Sequence, residues 1–233
     1  MTKNGIRESK WRRLARRRFR KKKVSRVNIE KLCQEYATEL PTLLIHESIE
    51  YRRYFPNSFT VSKRPDKNVD RHVDIFYEDL RAIASESYEV IACIGLLEHV
   101  PDPQRLIDDL HRILKPGGKL IFHASGAFSF HEGPNDYFHF TPFSVRLLFR
   151  NWRRIEMLRG SSQPFETIGI LIQRILIQCD ISPLARPFIE LLHTAIPLLD
   201  RCIIRQYDTA GRRITEREID SMLPSNIQAL VVK

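Results

Sequence analysis

The sequence predicts an α/β fold in which helices cover both faces of a mostly parallel sheet. From Pro41 onward, short apolar runs alternate with amphipathic helical stretches. Two of these runs, 88–95 and 119–125, flank a helical stretch at 102–114. A helical crossover between two buried strands makes them parallel, with helices on both faces of their sheet.

Each element of this fold has its own local signal. The predicted strands are short runs rich in apolar and β-branched residues, at 42–48, 58–63, 73–77, 88–95 and 119–125. The helix at 102–114 has Leu and Ile at i, i+3 and i+4 spacing, typical of one buried face. It is followed by a Lys-Pro-Gly-Gly stop at 115–118. A further helix is expected at 142–150.

The net charge of +10 belongs to one end of the chain. Residues 1–27 hold thirteen Lys and Arg against a single acid, Glu8, whereas the other 206 residues hold 25 basic and 27 acidic side chains. We therefore divide the chain into a flexible basic arm, 1–27, and a domain, 28–233. The arm is a solvated tail or a weak electrostatic contact for an anionic partner, either nucleic acid or a membrane surface.

Cysteine spacing and hydropathy indicate the compartment. The four cysteines form no CxxC pair, so neither a disulfide framework nor a metal site is predicted, and a cytoplasmic location is the simplest. No apolar run reaches the ~18 to 20 residues of a membrane helix. Peripheral seating on a membrane, through the arm, stays open.

The segment YEVIACIGLLEHVPDPQRLIDDLHRILKPGGKLIFHAS, followed by HEGPNDYFHFTPFSVRLLFRN, resembles class I S-adenosylmethionine (SAM) dependent methyltransferases of the type 11 kind. The resemblance covers residues 42–160 and a last strand at 226–233. It implies a Rossmann-like, seven-stranded sheet with a sixth strand at 154–158 and an antiparallel strand at 226–233. It also implies SAM as cofactor and methyl transfer as activity.

The same resemblance points to the cofactor contacts, and several depart from the family pattern. The Gly-rich turn after the first strand contains no glycine here, and its Glu47 is expected to repel the methionine carboxylate of SAM. Lys63 replaces the ribose-binding acid at the second strand, with Asp66 as the nearest substitute. These departures predict weak SAM binding. The residues expected around the cofactor are His46, Glu47, Asp66, Asp79, Leu80, Gly95, Leu96, Leu97 and His99.

A polar and aromatic loop after the fifth strand is expected to bind the acceptor. His131, Asp136 and Tyr137 are the candidate catalytic residues, with His131 first as the base because its pKa lies near neutrality. An alternative explanation is structural. Asp136 and Thr141 would then cap the helix at 142–150, and the aromatic residues would pack as a lid.

A long segment, 161–225, separates the last two predicted strands. Its Leu- and Ile-rich stretches predict helices that cover the site or form a homodimer surface. Two functions fit the whole sequence. The first is a SAM-dependent methyltransferase acting on a small-molecule, glycan or lipid-linked acceptor. The alternative is a catalytically degenerate module that binds a protein, nucleic acid or membrane partner.

Overall fold

Seven strands form one sheet in the computed structural model, which describes residues 23–63, 68–74, 80–208, 210–214 and 219–233. The strands are β1 (Thr42–His46), β2 (Ser58–Ser62), β3 (Arg71–His72), β4 (Tyr88–Ile94), β5 (Leu114–Ser125), β6 (Arg154–Gly160) and β7 (Asn226–Val232). Their order across the sheet is β3-β2-β1-β4-β5-β7-β6. Among these strands, β7 alone runs in the direction opposite to the other six. The predicted seven-stranded, mostly parallel sheet is confirmed.

Helices lie on both faces of the sheet because successive strand residues point to opposite sides. They are α1 (Val24–Glu35), α2 (Pro103–Ile113), α3 (Pro142–Leu148), α4 (Pro164–Gln178) and α5 (Arg186–Ala195). Leu43 and Ile45 pack in one apolar cluster with residues of α2 and α3. Leu44, from the same strand, packs in a second cluster with α1. The helix predicted at 102–114 is therefore confirmed as α2, and Asp102 caps it by accepting from the amide of Arg105.

Two predicted strand positions differ in the structure. The prediction of a strand at 73–77 is wrong for residues 73 and 74, which are not in a strand. Residues 75–77 lie outside the described part. The strand that pairs with β2 is β3, which begins at Arg71, two residues before the predicted start. Asp70 fixes this position, because its carboxylate accepts hydrogen bonds from the amide and hydroxyl of Thr60 on β2. The residues expected to end the helix, 115–118, form the beginning of β5. In this part of the strand the Lys233 amide donates to the Gly118 carbonyl.

The segment between β6 and β7 is built mainly from α4, α5 and the 3₁₀ helix Ile196–Cys202. These elements pack closely, and a side chain at Gly169 would come within 2.9 Å of Pro197. His193 of α5 fixes the packing, since its Nδ1 lies 2.8 Å from the Gly169 carbonyl oxygen. Over the residues described, we find no helix that is long and apolar enough to span a membrane.

The predicted arm, 1–27, overlaps the first helix of the domain. Residues 24–27 belong to α1, which packs on the sheet, whereas residues 1–22 lie outside the described part. Residues 1–22 contain eleven Lys and Arg but few apolar side chains to offset ordering entropy. We expect a chain lacking residues 1–22 to keep its melting temperature within about 2 °C. Thermal unfolding followed by circular dichroism tests this, and a fall of about 10 °C or more would place the arm in the core.

Candidate functional site

A polar cavity of about 310 Å³ opens at the carboxyl edge of β1, β4 and β5. This edge is where open α/β sheets bind ligands. The strand ends contribute Glu47, Gly95 and His123, and the loop after β5 contributes His131. Helices α1 and α4 close the opposite side, with Arg26 and Arg174 respectively. Distant parts of the sequence thus converge on one site.

The turn after β1 keeps a glycine-like backbone without a glycine. His46 has φ 59° and ψ −117°, a conformation that side chains rarely adopt. Gly95, at the end of β4, has φ +58°, and a Cβ on it would lie 2.9 Å from Oε2 of Glu47. Gly95 therefore lets the Glu47 carboxylate pack against the backbone of the neighbouring strand.

Glu47 is paired rather than isolated. A guanidinium nitrogen of Arg26 lies 2.7 Å from its Oε1, and another lies 3.4 Å from Glu50. Burial opposes ionisation of Arg26, but the carboxylates of Glu47 and Glu50 outweigh it and raise the pKa of Arg26. The expected electrostatic repulsion from Glu47 is therefore wrong as a reason for weak cofactor binding, because Arg26 neutralises the carboxylate.

Glu98, after β4, is buried at the floor of the cavity, with 1% of its surface exposed. The Ser125 hydroxyl donates to its Oε1 at 2.7 Å. Burial raises the pKa of Glu98, although nearby His99 partly opposes the shift. Atoms of Glu98, His99 and His131 that could ligate a metal lie within 4.8 Å of one another. Each of these side chains is held by a hydrogen bond at one of its polar atoms.

His123 of β5, which the sequence analysis did not select, also lines the cavity. It is 3% exposed, and neither ring nitrogen has a hydrogen-bond partner among the described residues. Burial, the largest influence, lowers the pKa of His123 to about 4. The side chain is therefore neutral at physiological pH.

This pKa makes folding sensitive to acid. Between the ordinary pKa of 6.5 and about 4, the unfolded chain binds a proton on His123 that the folded chain does not bind. Stability should therefore fall as pH drops through that window and level off below it, by up to about 3 kcal/mol from this group. In His123→Gln this contribution should vanish. Urea unfolding at pH 7.0 and 4.5 measures the difference.

The matched control is His72→Gln, because His72 is exposed on β3. Its acid sensitivity should equal that of the unaltered protein. If His123→Gln loses as much stability between the two pH values as the unaltered protein does, the assigned pKa of His123 is wrong.

His131 and Asp136 form the polar pair expected in the loop after β5. The Asp136 carboxylate accepts from the His131 amide at 2.8 Å, and its Oδ2 lies 3.7 Å from the ring Nδ1. Nδ1 also faces the Ser129 carbonyl at 3.2 Å, so a proton there leaves Nε2 as an acceptor. Burial and then His99 lower the pKa of His131, while Asp136 opposes the shift. His131 is therefore neutral at pH 7.

Other predicted site residues lie elsewhere. Tyr137 is 42% exposed and bonds Asn135, so it lies outside the cavity lining. Thr141 caps α3 as the structural explanation expected, but Asp136 contacts His131 and His139 instead of the helix. Three predicted cofactor residues are instead fully buried core residues, namely Leu80, Leu96 and Leu97. Two further predicted residues, Asp66 and Asp79, lie outside the described part.

The resemblance points to Leu96 and Leu97 because their loop follows the fourth strand at the carboxyl edge of the sheet, and to Leu80 because it follows Asp79. Their side chains lie in the core, and the backbone of Leu80 is bonded on both sides, since its amide donates to Asp109 and its carbonyl accepts from Arg112. His46 and His99 are also buried, and they pack beside each other with ring centroids 6.3 Å apart. Sequence reasoning missed Arg26, His123 and Arg174. His123 alone had a usable signal, since it is a polar residue near the carboxyl end of an apolar strand.

Comparisons with known proteins agree with this geometry. A family described as a methyltransferase domain matches residues 15–165. The ubiquinone biosynthesis O-methyltransferase of Pseudomonas syringae pv. tomato is 47% identical over 45 residues, 19% of each chain. The enzyme of the same name from Coxiella burnetii is 36% identical over 64 residues, 27% of each chain. This chain thus spans between 19% and 27% of the length of these curated relatives.

One solved structure extends the likeness to most of the chain. A SAM dependent methyltransferase from Archaeoglobus fulgidus superposes with a TM-score of 0.51 and 12% sequence identity. The match covers 90% of this chain and 94% of that one. At this identity, the likeness shows the fold.

Proposed function

Since this chain belongs to the methyltransferase-domain family and has the class I SAM-dependent methyltransferase fold, we propose that it binds SAM and methylates a small acceptor. The observation that carries the proposal is the cavity at the carboxyl edge of the sheet, whose lining includes His131, Arg26 and Glu47. The neutral imidazole of His131 and the Arg26–Glu47 ion pair thus line the same polar cavity.

The described residues fit the methionine end of SAM, which carries both an ammonium and a carboxylate. Glu47 would accept hydrogen bonds from the ammonium, and Arg26 would donate to the carboxylate. The glycine-like backbone at His46 supports this placement, since the resemblance puts a glycine-rich turn at this point of the chain. When bound, SAM supplies an electrophilic methyl group on a sulfonium.

The reaction asks this chain for positioning and for removal of one proton from a neutral acceptor. His131 would take that proton on Nε2, since its Nδ1 is held by the Ser129 carbonyl and the Asp136 carboxylate. Asp136 is a positioning residue, because it fixes the ring and stabilises the imidazolium that forms. Tyr137, which bonds Asn135 and is outside the cavity lining, is not used in this step.

A second cavity suggests the shape of the acceptor. It has a volume of about 510 Å³ and is lined mainly by apolar side chains, including Phe140, Phe143 and Ile214. His139 borders this cavity, and its Nε2 lies 3.6 Å from the same Asp136 oxygen that approaches His131. We infer an acceptor with a reactive hydroxyl or amine and an apolar body, a small molecule or lipid-linked compound rather than a glycan.

We also propose that the protein is peripheral to an anionic membrane. Large apolar side chains are exposed along the segment between β6 and β7, including Leu184, Phe188, Leu191 and Ile204. The basic arm joins the domain beside this segment, since the Val24 amide donates to Gln173 of α4. Sedimentation with phosphatidylglycerol vesicles tests the proposal. A homodimer that leaves the vesicles in solution would assign the apolar surface to a second copy instead.

The second candidate function is a degenerate, non-catalytic module. It is favoured by one observation, that the Glu47–Arg26 pair lies where the family has an open glycine turn. In such a module, the Glu47–Arg26 ion pair would have a structural role only, joining α1 to the carboxyl edge of the sheet.

Transfer of a labelled methyl group separates the two candidates. The full chain is incubated with SAM and a series of hydroxylated aromatic carboxylates bearing alkyl chains of increasing length. The methyltransferase proposal expects methylated product, with KM falling as the apolar chain lengthens. Binding of the acceptors without any product, in the presence of bound SAM, would favour the non-catalytic module.

A further inference from the structure

Arg174 is a half-buried cation at the cavity that the proposed reaction does not use. Its Nε donates to the Ser129 hydroxyl at 2.9 Å, and its guanidinium lies 4.9 Å from the centre of the Phe128 ring. Neither contact supplies negative charge. Within the described ranges, no ion pair involves Arg174, although buried cations are ordinarily paired.

Lys23 is a second cation on the same cavity. The next residue, Val24, donates its amide to the Gln173 side chain at 3.0 Å, so the start of α1 is tied to α4 one residue before Arg174. Among the residues with described positions, Lys23 also forms no ion pair. By contrast, Arg26 is compensated by Glu47 and Glu50.

The electrostatics agree with two cations that lack a full counter-charge. Burial first, and then the charges of Arg174 and Arg26, lower the pKa of Lys23, while Glu47 and Glu50 only partly oppose the shift. Burial and then Arg26 lower the pKa of Arg174, and Glu47 only partly opposes this shift. Glu132 is exposed at the rim, and burial raises the pKa of Glu98. The described walls therefore leave two cations that a bound anion would stabilise.

We propose that Lys23 and Arg174 bind an anionic group, a carboxylate or a phosphate, of the methyl acceptor. The inference rests on the proposed function and specifies the class of its substrate. The acceptor is the more suitable source of the anion, because Arg174 contacts the loop that carries His131. Phe128 lies between them, with its ring 4.9 Å from the guanidinium and 5.4 Å from the imidazole.

The placement also gives the segment between β6 and β7 a role at the site. Helix α4 carries Arg174 to the cavity, and Gln178 on the same helix donates to the Phe130 carbonyl at 3.1 Å. The helix and the loop of His131 are thus held together. An anion bound by Arg174 would orient the acceptor so that its reactive group faces His131.

Calorimetric titration with inorganic phosphate tests the subsite, and titration with S-adenosylhomocysteine, the demethylated cofactor, tests the proposed function separately. The full chain should bind phosphate, and Arg174→Gln should weaken that binding about 10- to 100-fold. Its affinity for S-adenosylhomocysteine should stay within about twofold. Arg153→Gln is the charge-matched control, since Arg153 is exposed and outside the cavity lining, and it should change neither affinity.

Three outcomes would contradict the proposed anion subsite. The first is that the unaltered chain does not bind phosphate, and the second is that Arg174→Gln binds phosphate with unchanged affinity. The third is that Arg174→Gln lowers the affinities for phosphate and for S-adenosylhomocysteine equally. The last would assign the cations to the cofactor's own carboxylate. If Arg174→Gln fails to fold, Lys23→Gln provides the same comparison. Phosphate binding without S-adenosylhomocysteine binding would support the anion site and contradict the methyltransferase proposal.

Discussion

Replacing His131 with Gln should lower kcat for methyl transfer about 10²- to 10⁴-fold, the usual contribution of a general base. S-adenosylhomocysteine affinity should change less than about twofold, since the proposed role of His131 is toward the acceptor. The base acts in its neutral form, and burial lowers its pKa. The unaltered enzyme should therefore keep its kcat/KM down to about pH 6.5 and lose it only in more acid solution. Rates measured from pH 5 to 8 test both expectations.

The matched control is His72→Gln, which removes an exposed imidazole on β3. It should leave kcat and the pH profile unchanged. If His131→Gln retains the full rate with the acid limb of the profile intact, His131 is not the base.

Replacing Phe122 with Ala should destabilise the fold by about 3 to 5 kcal/mol. Phe122 is fully buried on β5 and packs edge-on against Phe149, with ring centroids 5.2 Å apart. Phe122 lies in the central part of the sheet, where water cannot fill the cavity that the substitution would leave. For a chain of this size, the expected fall in melting temperature is about 6 to 20 °C.

Phe143→Ala is the control, because Phe143 is 57% exposed on α3. It should change the free energy of unfolding by no more than about 0.5 kcal/mol. Urea unfolding of both variants measures the difference. Equal losses would mean that Phe122 is not part of a packed core.

The parts of the fold predicted correctly had local signals. The β4–α2–β5 unit is visible because its helix has one apolar face and a following Pro-Gly stop. The third strand was misplaced because its position depends on Asp70 bonding Thr60 across the sheet. An apolar run at 73–77 could not reveal that long-range contact.

The sequence allowed prediction only of those site residues that follow the carboxyl ends of strands. Glu47, Gly95 and His131 were expected at the carboxyl edge, and all three line the cavity. Arg26 and Arg174 were not expected, because each reaches the cavity from a helix whose packing depends on distant contacts. The effect of Glu47 was misjudged for the same reason. Its neutralising partner, Arg26, was assigned to a flexible arm, whereas it lies on α1.

Calorimetric titration of the full chain with S-adenosylhomocysteine tests the central claim most directly. We predict one-to-one binding that Arg26→Gln weakens by about tenfold or more, because the methionine carboxylate loses a charged donor. Arg153→Gln should bind like the unaltered chain. The absence of binding by a folded, unaltered chain, or binding that Arg26→Gln leaves unchanged, would contradict the claim that this cavity holds the cofactor.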